Sequence, residues 1–196
     1  MKKILELLLT VILCLTLCAC DESSNDIWSI KQTVDEFGDV TKDSVSVISG
    51  SVNGKFSNTA TPESDLTVAV HFARKAQYNH YIVGFDLKEY NSTNATFLSS
   101  DQKLFKIKLN EEIITMNLSG DAPNGTLYLG TEDYGWSGDL VFNELLNGND
   151  VRCIITIGSS EYNFMLESSN FASLCEENGY VAGATELTFK EAVGIF

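Results

Sequence analysis

Leu66-Thr67-Val68-Ala69-Val70-His71-Phe72-Ala73 and, after residues 74–79, His80-Tyr81-Ile82-Val83-Gly84-Phe85-Asp86-Leu87-Lys88 form the stretch that decides the fold. Leu66, Val68, Val70 and Phe72 alternate with Thr67, Ala69, His71 and Ala73, and Tyr81, Val83, Phe85 and Leu87 alternate with neighbours of their own. An apolar period of two marks a strand buried on one face. Paired as a hairpin, the two put Leu66, Val68 and Val70 beside Tyr81, Val83 and Phe85 on a common buried face. That register sets His71 and His80 opposite each other on the polar face.

The same alternation recurs on both sides. Phe105, Ile107 and Leu109 alternate with Lys106 and Lys108, and beyond Asn110-Glu111-Glu112 the chain returns through Ile114, Met116 and Leu118. Residues 119–126 (SGDAPNGT) are a dense turn signal. Leu127 and Leu129 mark a short strand, and residues 131–139 read as a loop. Val151, Cys153, Ile155 and Ile157 then turn back into Tyr162, Phe164 and Leu166. Residues 140–146 suggest a helical turn ended by Asn147-Gly148-Asn149. Ser168-Ser169-Asn170 ahead of Phe171, Leu174 and Cys175 predicts a short capped helix. Upstream, residues 50–56 belong to one interrupted strand or to two joined at Asn53-Gly54, a favoured hairpin dipeptide. Trp28, Ile30, Val34 and Phe37 fit a short amphipathic helix or an edge strand. Short strands with turns about every eight to twelve residues predict a mainly β fold, an antiparallel β-sandwich or partly closed barrel with one short helix near the C-terminus.

Ahead of this domain stands a leader. Lys2 and Lys3 precede an apolar run from Leu7 to Leu17, far short of the about 20 apolar residues that a spanning helix needs. A basic start, a short apolar run and a small-residue exit describe a secretory signal. The exit, Leu17-Cys18-Ala19-Cys20, resembles the bacterial lipobox: an aliphatic residue, a loosely specified one, a small one, then cysteine. The resemblance implies cleavage after residue 19, diacylglycerol on the Cys20 thiol and acylation of the new N-terminus. Cys14 and Cys18 fit poorly because Leu13 and Leu17 precede them. More than one acyl chain anchors a protein stably. The expected organisation is therefore a signal peptide over 1–19, a lipidated N-terminus and acidic tether over 20–26, and a single β-rich domain over 27–196. Asp21 after the cysteine resembles an inner-membrane retention signal of some Gram-negative bacteria.

A second resemblance lies in the domain's first quarter. Trp28, Val34-Asp35-Glu36-Phe37-Gly38-Asp39 and Gly54-Lys55-Phe56-Ser57-Asn58-Thr59-Ala60-Thr61 together are similar to a group of exported bacterial lipoproteins to which no activity is attached. The implication is the same location: the bacterial cell membrane, with the domain on the extracytoplasmic side.

Composition narrows the chemistry. The chain has 13 basic and 27 acidic residues, a formal net charge of −14, and losing Lys2, Lys3 and Glu6 makes the remainder one unit more negative. Such a field disfavours nucleic acid as a partner. Gly135-Trp136-Ser137-Gly138 falls one residue short of the G-x-S-x-G nucleophile elbow. Two histidines, His71 and His80, are too few for a zinc site, and no EF-hand run or phosphate-cradling glycine loop occurs. Asp121 and Asp150 read as turn residues, so no metal or cofactor is expected. Glu132, Asp133 and Asp139 surround Tyr134 and Trp136, the mixture of carboxylates and aromatics found in glycan clefts. Cys153 and Cys175 both face inward in this pattern, and a bridge between them would stabilise by about 3 kcal/mol on the chain-entropy model.

These features predict a lipid-anchored, non-enzymatic module that meets the membrane through Cys20 and presents loops, with Tyr134 and Trp136, to a protein or glycan. The alternative is an envelope glycan hydrolase using loop carboxylates. Cys20→Ala is expected to abolish metabolic lipid labelling and to release the protein from the membrane fraction or leave it unprocessed. Unchanged labelling would refute the lipobox.

Overall fold

Alternation in the sequence carries through to the strands. A computed structural model describes residues 26–32, 39, 46–75, 80–98, 100–109, 111–120, 125–130 and 135–183. The elements are β1 (Trp28–Lys31), β2 (Val47–Ser57), β3 (Ser64–Lys75), β4 (His80–Glu89), β5 (Thr93–Asn94), β6 (Lys103–Leu109), β7 (Glu112–Asn117), β8 (Thr126–Leu129), α1 (Gly135–Leu146), β9 (Val151–Ile157), β10 (Ser160–Leu166) and α2 (Phe171–Glu177). The ten strands form one antiparallel sheet in the order β5-β4-β3-β2-β10-β9-β6-β7, with β1 against β2 and β8 against β4. An isolated bridge between Ser119 and Tyr128 brings the chain after β7 back to β8. Among the described residues the sheet has no closing ladder, which bears out the mainly β, sandwich-like class.

The β3–β4 hairpin buries the predicted face completely: Leu66, Val68, Val70, Phe72, Tyr81, Val83, Phe85 and Leu87 are all 0–1% exposed. Each such side chain contributes about 1.5–3 kcal/mol through burial. The pairing of the histidines is corrected. Val70 lies opposite Phe85 and Phe72 opposite Val83, so His71 faces Gly84 and His80 faces Lys75. The observed register thus sets the two rings in different surroundings.

β2 joins the two halves of the sheet. Along one edge it pairs with β3 throughout; along the other, residues 47–50 pair with β1 and residues 54–57 with β10. Asn53-Gly54 is therefore mid-strand and makes no turn. The glycine serves a close approach: a Cβ at Gly54 would strike the Asn163 carbonyl oxygen and lie 2.8 Å from Phe164 Cβ. Gly50 is bare for a similar reason, since a Cβ there would stand 2.6 Å from the Trp28 ring.

Trp28 opens β1, the edge strand of the two forms its sequence allowed. Its ring meets Phe72 and Phe171 edge-on at 5.6 and 5.1 Å, and its Nε1–H donates to the Glu167 carbonyl at 2.8 Å. Asn170 occupies the predicted N-cap position of α2 but its amide turns elsewhere. It accepts from Trp28 N–H at 3.0 Å and donates to Trp28 O at 2.8 Å, pairing the side chain with the strand as another strand would.

Among the described residues two helices are present, where the sequence pattern predicts one short helix and a helical turn. Residues 140–146 lie within the longer α1, which begins at Gly135, in the span read as a loop. Val141, Phe142 and Leu145 are buried, and Phe142 stacks on Tyr81 with ring centroids 3.6 Å apart. Gly148, at φ +81°, ends the helix in the expected left-handed conformation. Trp28→Ala is expected to cost about 3–5 kcal/mol, read as a lowered urea midpoint. A loss below about 1 kcal/mol would mean that Trp28 does not hold β1 to the core.

Candidate functional site

The outward faces of β1, β2, β3, β4 and β8 make a shallow pocket of about 450 Å³ lined by Lys31, Val47, His71, Ala73, Ile82, Gly84, Asp86, Thr126 and Tyr128. These residues fall into cross-strand rows. Ser29, Ser49, His71, Gly84 and Tyr128 are successive partners, and Lys31, Val47, Ala73 and Ile82 form the next row. Asp86 stands opposite Thr126. The small and apolar positions of the rows are the floor; the polar ones are its rim.

A hydrogen-bonded chain runs across that rim. Ser49 Oγ lies 2.9 Å from His71 Nδ1, His71 Nε2 lies 3.2 Å from Asp86 Oδ2, and Thr126 Oγ1–H donates to Asp86 Oδ1 at 2.5 Å. An ionised Asp86 only accepts, so His71 Nε2–H donates to it. The order Ser–His–Asp is that of a nucleophilic triad, but the setting differs. Ser49 is 3% exposed in mid-strand, covered by β1 and paired on both edges. An oxyanion hole needs donors aimed at the developing charge beside an accessible nucleophile, and the strand ladders consume the main-chain groups around Ser49. The chain is suited to holding Asp86 and His71 in fixed orientations.

Gly84 sits at the centre of this floor. Glycine in a strand interior weakens it and marks either a packing need or a close approach by something else. Of the glycines whose surroundings are described, the others have a positive φ or a neighbour that a Cβ would crowd. Gly84 has neither: a Cβ there would meet Tyr128 Cε1 at 3.6 Å, His71 Cβ at 3.8 Å and Thr126 Cγ2 at 3.8 Å, all ordinary contacts. Nothing among the described residues requires its bareness.

The sequence-expected residues fall elsewhere. Cys20, Asp121, Glu132, Asp133 and Tyr134 lie outside the described residues, and Trp136 is in the first turn of α1. Asp139 is not a cleft carboxylate: it is 1% exposed, lies 2.5 Å from His80 Nδ1 and accepts from Tyr81 N–H at 2.8 Å. It ties α1 to the start of β4. Ser137, of the near-elbow, is buried in the same helix. Asp150 accepts from Ser168 N–H and Oγ–H, as a turn residue does. Among the described residues, no group of three or more His, Cys, Asp or Glu is placed to hold a metal, and no helix is long and apolar enough to cross a membrane. Sequence pattern missed Ser49, Asp86, Thr126 and Tyr128 because their meeting depends on strand order; the one local signal was Gly84 inside an otherwise regular strand.

The cysteine bridge is corrected. Cys153 and Cys175 are buried and free. Cys153 Sγ–H donates to the Val151 carbonyl at 3.4 Å on β9, while Cys175 lies on α2 beside Tyr81 and Tyr180. Burial pushes the Cys175 thiol up to about 12 and Cys153 well above its usual range. No protein-family model, no curated protein and no solved structure matches the chain. Both thiols are expected to ignore a thiol reagent at pH 8 in the folded protein, where thiolate is scarce, and both to react on denaturation without reductant. Fewer than two reactive thiols after denaturation would restore the bridge.

Proposed function

We propose that this chain is a lipid-anchored extracytoplasmic binding module. Cys20 carries the anchor, and the outer-face pocket takes the ligand by binding without turnover. The leader and its lipobox resemblance support the first part; Gly84 carries the second. A strand-centre glycine with room for a Cβ, ringed by an oriented carboxylate, an imidazole and an exposed tyrosine, is what a close-fitting ligand calls for. The binding surface thus moves from the Tyr134–Trp136 loop to the sheet face. Lys31, on the pocket wall, follows Cys20 by eleven residues, so an extended tether holds this wall within about 40 Å of the anchor. The ligand is one met close to the membrane.

Gly84→Ala separates function from stability. Gly84 adopts no left-handed φ and the new methyl has space, so the substitution is expected to stabilise the fold by about 0.4–1 kcal/mol. Calorimetry should show a melting temperature higher by about 1–4 °C. A lowered melting temperature would give the glycine a structural reason and remove the main support for a ligand site.

A further inference from the structure

We infer that the outer face of β10-β9-β6-β7 is a membrane-contact surface that lies against anionic lipid headgroups. The inference rests on the lipid-anchor reading for the nearness of a bilayer and makes no use of the pocket.

The strand registers fix what this face presents. Met165, Arg152, Lys108 and Ile113 are successive partners across the four strands, and Asn163, Ile154, Lys106 and Thr115 form the next row. Neighbouring strands lie about 4.8 Å apart, so each row crosses about 14 Å of sheet. Ile113 is 67% exposed and Met165 43%, one at each end of the first row, with Arg152 and Lys108 between them. Arg152 and Lys108 are exposed, and Ile154 and Lys106 are half-buried.

That arrangement runs against ordinary sheet design. Arg152 stands directly opposite Lys108, and like charges at opposed positions destabilise a sheet. The chain has 13 basic residues against 27 acidic, yet neither row contains a carboxylate. Lys108 Nζ donates to Glu111 Oε2 at 2.6 Å; among the described residues Lys106 and Arg152 pair with no acid. The nearest other carboxylates are Glu161, one row further on, and Asp65, which lies beyond β2 and is held by Lys55 at 2.7 Å. Protection of the sheet edge does not account for the cations. Charges that guard an edge sit on the edge strand, and β7, last in the strand order, carries no cation.

Apolar tips with cations between them match the boundary between headgroups and acyl chains. Each Lys or Arg held at an anionic leaflet raises partition about fivefold, so three give on the order of a hundredfold. Phosphate between Arg152 and Lys108 turns their repulsion in water into a shared attraction. The net charge of −14 sets the orientation, because the faces that bear the acids are repelled by the same lipids. An acidic protein would meet the same cations, but protein interfaces centre on desolvated anchors in pockets, whereas Arg152, Lys108, Ile113 and Met165 all stand exposed.

The test is quenching of an added tryptophan, Ile113→Trp, by brominated acyl chains. The full chain is reconstituted into vesicles of phosphatidylcholine alone or of phosphatidylcholine and phosphatidylglycerol in equal parts, and the parent chain supplies the background of Trp28 and Trp136. Quenching of the added ring is expected to be at least threefold greater in the anionic vesicles and to lose that excess in high salt. Lys106→Gln with Arg152→Gln should abolish the difference and leave the melting temperature unchanged or raised, since one opposed cation is gone. Equal quenching in both vesicles, or none in either, overturns the inference, as does a lowered melting temperature of the glutamine variant. A dimer in detergent that the glutamine variant loses, without quenching in vesicles, assigns the face to a second copy and overturns it too. Flotation separates the two readings. A chain that floats with both vesicles but is not quenched keeps the anchor and loses the face; one that floats only with anionic vesicles, and not as the glutamine variant, keeps the face and loses the anchor.

Discussion

The Trp28 ring lying on bare Gly50 is the contact on which the rest of the arrangement depends. β2 is the strand shared by both halves of the sheet, and its outer edge changes partner midway, from β1 to β10. Such a change works only if both newcomers approach closely. Gly50 admits the indole and Gly54 admits the β10 backbone. The indole then reaches Phe72 of β3, Phe171 of α2 and the carbonyl of Glu167, just past β10. One side chain thus links β1 to α2.

The outer face inherits its shape from that contact. β1, once seated, lays Ser29 beside Ser49 and Lys31 beside Val47. Ser49 is covered and turned into a hydrogen-bond partner for His71, and Lys31 becomes a wall of the pocket. The inner face supplies stability through large apolar residues; the outer face at the same strands carries Ala69, Ala73, Gly84 and short polar groups, and stays low. A single period of two along β3 and β4 therefore encodes both the core and the candidate site, one on each side of the sheet.

How much of this is legible in the sequence follows from which interactions are local. The strands were legible because alternation is a property of each strand alone; Leu66 to Phe72 and Tyr81 to Leu87 needed no partner to be read. The hairpin register was not, because it is a property of neither strand alone, and the observed pairing keeps His71 and His80 apart. Asn53-Gly54 has the composition of a turn, but tertiary approach by β10 overrode it. α1 was read short because its first turn combines two glycines with a serine and a tryptophan, a poor helix signal, and its buried residues are settled by packing against β4. Ser49, His71, Asp86 and Thr126 come from four strands, and no spacing in the chain announces their meeting. Gly84 was visible but mute: only the room around it distinguishes it from Gly50 and Gly54.

Localisation and ligand site are joined by the short stretch between Cys20 and Lys31, which puts the pocket wall close to the proposed anchor. The most direct test of the Trp28–Gly50 contact is urea unfolding of Gly50→Ala. The added methyl would meet the indole at 2.6 Å, so the midpoint is expected to fall by an amount corresponding to about 1–3 kcal/mol. An unchanged or raised midpoint would contradict the account.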